Sequence, residues 1–485
     1  MEQKKFTKIV ATISDKRCDI DFLKKLYKEG MNVVRMNSAH LDREGFLKII
    51  NNVRAVSRRI AILIDTKGPE VRTTIAENDG IELKAGDSIT VTGDITLTTT
   101  AQCIAVSYPY FARDLQVGDH ILIDDGEIDL QVTGKNENSI GSLICQVLND
   151  GTLGSRKSVN VPGVRINLPS LTEKDRKNIE FAIEQNLDFI AHSFVRSKHD
   201  LLDIQEILDK HSSDIKIISK IENQEGVDNI DEIMEHSYGI MVARGDLGIE
   251  VPQERIPGIQ RKLIRKCVKA HKPVIVATQM LHSMIEYPRP TRAEVNDIAN
   301  AIYYRTDALM LSGETAYGKY PVEAVSTMSK IAFEAEKTKM PENDIPIEFK
   351  EGDVTSFLAH SAVQAGKMLD INAVITDTFS GKTARYLASH RGSDPILAFC
   401  YKERASRELA LSYGVYSFFK EELVGDERTY FITLLQNLID REIILPEDKV
   451  CYLSGPINGS YGTTFMEIST AKTLLTEIDN YTIPK

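Results

Sequence analysis

Lys220, Glu222 and Asp246 form the densest chemical signal in the chain. They lie in two short segments, Ile217-to-Asn223 (IISKIEN) and Met241-to-Glu250 (MVARGDLGIE). Each segment begins as a β-branched run and ends in charge, so Glu222 and Asp246 are expected to project from adjacent strand ends, outside the apolar core. Two carboxylates with open positions between them suit Mg²⁺ or Mn²⁺, which keep waters and substrate oxygens in their coordination shell. Lys220 stands two residues before Glu222 and faces the same side of its strand. An ammonium beside a divalent cation is unfavourable unless something anionic lies between, so the pattern predicts an anionic substrate. The rival reading is a structural Lys–Glu pair.

A second group is Asn32-to-His40 (NVVRMNSAH) with Leu63-to-Thr73 (LIDTKGPEVRT). Arg35 and Asn37 alternate onto one face, and Asp65, Lys67 and Arg72 follow a strand end. Arginine suits bidentate clamping of phosphate oxygens. A third group holds Thr278 in Ala277-to-Met280 (ATQM), the segment Tyr287-to-Glu294 (YPRPTRAE), and Ser312 and Glu314 in Leu311-to-Thr315 (LSGET). The Thr278 hydroxyl either positions water and relays a proton or caps the next helix.

These residues need a frame that brings strand ends together. Short β-branched runs recur at Lys8–Ile13, Asn32–Asn37, Ile60–Thr66, Asp188–Phe194, Lys216–Glu222, Gly239–Gly245, Pro273–Thr278 and Ala308–Gly313. Amphipathic helical stretches separate most of them, and most repeat at roughly thirty-residue intervals, the length of one strand–helix unit. This predicts an α/β protein with a parallel sheet closed into a (β/α)8 TIM barrel, its site at the C-terminal ends of the strands. Between Thr66 and Asp188 the interval is far too long. Short alternating segments fill it, punctuated by Asp124-Asp125-Gly126 and Asn149-Asp150-Gly151. They predict an inserted all-β lid domain over 71–163. The barrel then comprises 1–70 and 164–340, and a C-terminal α/β regulatory domain follows over 341–485. That last unit should contain helix Thr355–Leu369, strands Ala373–Thr376, Ile396–Cys400 and Val450–Ser454, and helices near Lys382–Ser389 and Arg404–Ser412.

With 485 residues, 42% hydrophobic and 27% charged, the chain can bury sizeable cores, and a net charge of −11 argues against a nucleic-acid partner. Six cysteines are scattered without a CxxC pair, which disfavours disulfides and zinc. The N-terminus (MEQKKFTK) lacks a secretory apolar core, and no run reaches the roughly 18–20 apolar residues of a membrane span. A cytoplasmic protein without membrane contact is expected.

Taken in order, LIDTKGPEVRT, IISKIEN, MVARGDLGIE, ATQML, PRPTRAE and LSGETAYGKYP resemble the pyruvate kinases over essentially the whole chain. The resemblance implies a homotetrameric kinase of the last step of glycolysis, which transfers the phosphoryl group of phosphoenolpyruvate to ADP, giving pyruvate and ATP. It implies Mg²⁺ (or Mn²⁺) on Glu222 and Asp246, and K⁺ on Asn37, Asp65 and the Thr66 carbonyl. The substrate carboxylate is expected on the backbone of Ala243, Arg244, Gly245 and Asp246. Lys220 would neutralise the moving phosphoryl group and the enolate, with Arg35 on phosphate oxygens. Thr278 would bind the carboxylate and order the water chain that protonates the enolate, with Ser312 a candidate member of that chain. Arg72, Lys157 and His40 are expected at the nucleotide.

In the C-terminal unit, Thr376-to-Arg385 (TDTFSGKTAR) ends like a P-loop but has Thr376 where that motif requires glycine. Ser380, Gly381, Lys382 and Thr383 still open a helix, and the resemblance implies that their loop binds a phosphorylated effector. An ordinary helix start is the alternative. The Gly-rich Ser454-to-Thr464 would cover the same pocket. His192 is expected to be a packed or hydrogen-bonded barrel residue.

Two positions depart from the family pattern. Ala39 stands where a serine potassium ligand is usual, although Glu70 is typical of potassium-requiring members. Ile13-Ser14-Asp15-Lys16 stands where Gly-Pro is common. Two rival functions are a metal-dependent pyruvate aldolase on the same barrel, which would not need ADP, and an inactive sugar-phosphate sensor.

Overall fold

The computed structural model describes residues 5–39, 41–136, 141–419, 427–455 and 462–480. Eight strands form its central sheet: β1 (Lys8–Thr12), β2 (Val33–Asn37), β3 (Ala61–Asp65), β4 (Phe189–His192), β5 (Lys216–Ile221), β6 (Gly239–Ala243), β7 (Val274–Ala277) and β8 (Ala308–Leu311). They close into a barrel in the order β1-β8-β7-β6-β5-β4-β3-β2, and all pairs are parallel.

The strands are near-continuous Val, Ile, Leu and Ala because both faces are buried. Val10, Val33, Leu63, Ala191, Ile218, Met241, Ile275 and Met310 pack inside the barrel. Their neighbours Ile9, Val34, Ile62, Ile190, Ile217, Val242, Val276 and Leu309 pack outward against the helices. The two-residue period carries the inner set onward along each strand. Val10 leads to Thr12, Val33 to Arg35, Leu63 to Asp65, Ala191 to Ser193, Ile218 to Lys220 and Met310 to Ser312. The polar residues of the mouth thus sit in register with the apolar filling below them. Helices of the outer layer begin at clear start signals. Capping boxes open Glu173–Glu184 (Thr172 with Asp175), Lys198–Lys210 (Ser197 with Asp200) and Arg292–Tyr303 (Thr291 with Glu294), and a cap of this kind contributes about 0.5–2 kcal/mol.

Between β3 and β4 a separate seven-stranded sheet runs in the order Val71–Arg72, Ser158–Asn160, His120–Ile123, Ile128–Asn136, Ser142–Val147, Ser88–Thr92, Cys103–Ala105. It has its own core, including Val91, Ile104, Ile121, Leu130 and Leu143. One helical turn, Phe111–Asp114, interrupts it.

The C-terminal sheet has five strands in the order Val415–Phe418, Ile396–Cys400, Ala373–Thr378, Lys449–Ser454, Phe465–Thr470, the last antiparallel. The first and last lie at sheet edges and were not expected from sequence. Their apolar pattern is short, and Phe465–Thr470 keeps most of its side chains only half-buried. The expected helix Arg404–Ser412 is instead a helix, Glu403–Glu408, followed by a 3-10 turn, Leu409–Leu411. The break lets Leu411 join the apolar cluster inside the barrel. Buried ion pairs fasten the same contact, Arg391 to Asp307 at 2.7 Å and Arg407 to Asp188 at 2.6 Å. Among the described residues no helix is long and apolar enough to cross a membrane.

Candidate active site

Arg35 and Lys220 converge on one carboxylate oxygen. Arg35 donates to Asp65 Oδ2 from Nε at 3.0 Å and from Nη2, while its Nη1 donates to Thr12 Oγ1 at 3.1 Å. Lys220 Nζ is 3.5 Å from the same Oδ2 and 2.8 Å from Glu222 Oε1, and it donates to Ser193 Oγ at 2.8 Å. All of these side chains are almost fully buried. Burial alone would discharge the Lys220 ammonium, but Asp65 and Glu222 hold its pKa above the usual lysine value. Asp65 is likewise opposed by burial yet kept below the usual carboxylate range by Arg35 and Lys220. Glu222 is pushed up to about 7 by burial, with Asp246 adding to the rise and the Lys220 ammonium and the Phe194 N–H opposing it. Glu222 is fully buried, which corrects the expectation that it lies outside the core.

One oxygen in this cluster stands ready for a cation: Asp65 Oδ1 is buried without a hydrogen-bond donor among the described residues, whereas Glu222 Oε1 is paired with Lys220 at 2.8 Å. Asp246 opens the helix Arg244–Glu250 directly after β6 and is half-exposed. The donor set fits hard cations, which take carboxylate and carbonyl oxygens and complete their shells with water and substrate. Asn37 Oδ1 accepts from the Ala39 N–H at 3.0 Å, and the Thr66 carbonyl accepts from Ser193 Oγ at 2.7 Å.

Thr278 does not cap the helix that follows it. Its hydroxyl accepts from the Gly245 N–H at 2.7 Å and donates to the Ala277 carbonyl at 2.6 Å, so it pins the start of the Arg244–Glu250 turn from the neighbouring strand. Both Thr278 (φ 68) and Gln279 (φ 54) adopt left-handed backbone conformations, a strain that concentrates at functional sites. The Arg244 side chain turns into the protein, with Nη1 on both Asp297 oxygens at 2.8 and 2.7 Å and Nη2 on the Thr278 carbonyl at 2.8 Å. That leaves the backbone of Ala243–Asp246, rather than the guanidinium, at the mouth. Ser312 Oγ is buried without a partner among the described residues.

Arg72 and Lys157 line a cleft of about 760 Å³ between the inserted sheet and the barrel mouth, together with Glu70, Asp246 and Glu250. Arg72 Nε donates to Glu70 Oε2 at 2.8 Å, Lys67 Nζ is 3.7 Å from the same oxygen, and Lys157 pairs with Asp124 at 2.6 Å. His40 lies outside the described residues. So do residues 456–461 of the Gly-rich late loop. In the C-terminal unit, Gly381 is left-handed (φ 73), and its N–H donates to Thr378 Oγ1 at 2.9 Å. Thr383 shares a hydrogen bond with Thr463 at 2.7 Å. Ser380 and Lys382 line a second cleft of about 710 Å³ against the barrel.

Sequence reasoning gave no role to Ser193, which contacts both Lys220 and Thr66, or to Asp297, which orients Arg244. Ser193 carries the parity signal of the inner strand face, but its partners come from β3 and β5 and follow only from closure of the barrel. His192 is buried with Nδ1 3.0 Å from Thr66 Oγ1, a hydrogen-bonded barrel residue.

The family model for the pyruvate kinase barrel domain matches residues 4–325, and that for the pyruvate kinase alpha/beta domain matches residues 356–469. A protein of Borreliella burgdorferi named pyruvate kinase is 48% identical over 473 residues, covering 96% of this chain and 98% of the relative. One from Geobacillus stearothermophilus is 48% identical over 421 residues, covering 85% of this chain and 71% of the relative. The crystal structure of a pyruvate kinase from Cryptosporidium parvum superposes with a TM-score of 0.89 at 37% identity, covering 97% of this chain and 96% of that one.

Proposed function

The chain belongs to the pyruvate kinase family, and from that premise we propose how its own residues divide the work of moving a phosphoryl group from phosphoenolpyruvate to ADP. The observation that carries the reading is the meeting of Arg35 and Lys220 on Asp65 Oδ2, beside Glu222. Two buried cations, held charged by carboxylates, form a preorganised receptor for a polyanion. Phosphoryl transfer needs mainly positioning and charge neutralisation.

Arg35 holds the phosphoryl oxygens of phosphoenolpyruvate, and Lys220 stays on that group as the bond to the enol oxygen breaks. Lys220 then faces the enolate that remains. The backbone of Ala243–Asp246, which Thr278 fixes through the Gly245 N–H, receives the substrate carboxylate. The enolate carbon takes its proton through water ordered by Thr278 and Ser312. Glu222 and Asp246 would hold Mg²⁺ (or Mn²⁺), and Asn37, Asp65 and the Thr66 carbonyl K⁺. When bound, these cations offset the negative charge that two phosphorylated substrates bring together. Arg72 and Lys157, with His40, meet the nucleotide across the cleft, and the inserted sheet over 71–163 acts as the lid that closes on it.

The reading places the enzyme at the last step of glycolysis, in the cytoplasm, as a homotetramer. The 341–485 unit is regulatory. The loop of Ser380, Gly381, Lys382 and Thr383 takes a phosphorylated effector, and Lys382→Ala should erase that activation while sparing basal activity. The aldolase and sensor alternatives find no support among the relatives. A coupled assay with phosphoenolpyruvate, ADP, Mg²⁺ and K⁺ tests the central reading. Pyruvate should appear only with ADP present, and pyruvate formation that ignores ADP would overturn it.

A further inference from the structure

We propose that Ser193 is a positioning residue for Lys220. Together with Phe194, it clamps both charged groups at the end of β5. This inference rests on the reading of Lys220 as the group that neutralises the moving phosphoryl.

The hydrogen-bond directions around Ser193 admit one arrangement. The Lys220 ammonium can only donate and the Thr66 carbonyl can only accept. The single hydroxyl proton of Ser193 therefore goes to Thr66, at 2.7 Å, and a lone pair faces Lys220, at 2.8 Å. Ser193 itself is anchored from the backbone, since its N–H donates to Thr66 Oγ1 at 3.0 Å. One residue further, the Phe194 N–H donates to Glu222 Oε2 at 2.7 Å. Thus the ammonium on β5 and the carboxylate just past its end are each held by one group of the dipeptide that follows β4.

The backbone is shaped for this clamp. Phe194 has φ 56, a conformation that a bulky residue adopts only where its surroundings hold it. Gly68 (φ 71) permits the close approach of the β3 turn. A Cβ on Gly68 would lie 2.9 Å from Phe194 Cδ2 and 3.1 Å from Ser193 Cβ. Lys220 has four rotatable bonds and carboxylates on two sides, Asp65 and Glu222. Ion pairing alone constrains its direction poorly, whereas the Ser193 oxygen supplies a third, fixed point.

The test is a double-mutant cycle on the full-length enzyme, using Ser193→Ala and Lys220→Met. Ser193→Ala should lower kcat roughly ten- to hundredfold, the scale of a misplaced catalytic group, and leave both substrate KM values within about twofold. In the Lys220→Met background it should change the residual rate by less than about twofold, because a residue acting through Lys220 has nothing left to orient. Ser193→Cys, near in size but a weak donor, should show the same split and guards against a folding defect in the alanine variant. Wild-type kcat in a folded Ser193→Ala enzyme would overturn the proposal and leave the Lys220 reading standing. Equal losses in both backgrounds would overturn it in favour of a structural role. Near-normal kcat in Lys220→Met alone would overturn both.

Discussion

Lys220 Nζ lies 2.8 Å from Glu222 Oε1, two residues further along the same chain segment, and both side chains are almost wholly buried. The contact separates the two proposed magnesium ligands in what their removal should do. Glu222→Ala strips a buried ammonium of one partner, and breaking a buried pair costs about 3–5 kcal/mol. Asp246 is half-exposed and has no such partner among the described contacts. Asp246→Ala should therefore abolish Mg²⁺-dependent turnover with a melting temperature close to wild type. Glu222→Ala should lose turnover and melt markedly lower. Near-normal activity of either variant in saturating Mg²⁺ would sink the metal assignment.

One buried and two half-buried histidines predict an acid sensitivity distinct from that of the carboxylates. Burial lowers His192 and His271 to about 4 and His390 to about 3. Each stays neutral when folded but titrates near 6.5 when unfolded. Between those values the unfolded chain binds more protons, so their contribution to stability falls as pH drops from about 6.5 toward 4. Glu222, raised to about 7, and Asp394, raised to about 6, act with the opposite sign. A difference measurement isolates the histidine effect. His271 stacks on Tyr386 at 3.9 Å and bonds Ser389 at 2.7 Å. His271→Gln should lower the melting temperature at pH 7 and show a smaller further drop at pH 5 than wild type. An equal or larger drop would contradict the assignment.

The junction of barrel and C-terminal unit depends on Arg391. Its Nη2 is 2.7 Å from Asp307 Oδ2, and Nε and Nη2 donate to the Arg305 carbonyl at 3.1 and 2.8 Å. Among the described residues, Arg391→Ala leaves buried Asp307 with the Val274 and Tyr413 N–H donors alone. It should cost about 3–5 kcal/mol and split denaturant unfolding into two transitions as the units lose their coupling. A single transition at the wild-type midpoint would show that the pair contributes little.

The barrel was legible because its signal is repeated eight times and each strand is long enough to show its period. Lys220, Arg35 and Asp65 were legible for the same reason, as they extend the inner-face parity of Ile218, Val33 and Leu63. Ser193 has that parity too, yet a serine after Ala191 carries no chemistry until Thr66 and Lys220 are brought beside it. The burial of Glu222 was missed because a charged strand end reads as solvent-facing in one dimension, whereas the Phe194 N–H and Lys220 cover it in three. The edge strands Val415–Phe418 and Phe465–Thr470 escaped because their side chains are mostly only half-buried and show no continuous apolar run.

At the proposed potassium site Ala39 stands where the family resemblance implies a serine, and the geometry sharpens what to expect. Glu70 needs no cation to balance it, since Arg72 lies at 2.8 Å and Lys67 at 3.7 Å. The demand comes instead from Asp65, whose Oδ1 is buried without a donor among the described residues while Oδ2 takes Arg35 and Lys220. Asn37 and the Thr66 carbonyl complete the proposed donor set, and Ala39 offers no hydroxyl. Water can fill that position at an entropic cost of about 0–2 kcal/mol, so K⁺ should be required but held weakly. Ala39→Ser should lower the potassium concentration for half-maximal activity several-fold, up to roughly thirtyfold if the whole water cost is recovered. Its kcat at saturating potassium should match wild type. Potassium titrations of both enzymes, in buffer freed of K⁺ and ammonium, check this. Full activity in that buffer with no response to the serine would mean that Asp65 Oδ1 is satisfied by water alone and that the chain has lost the cation requirement.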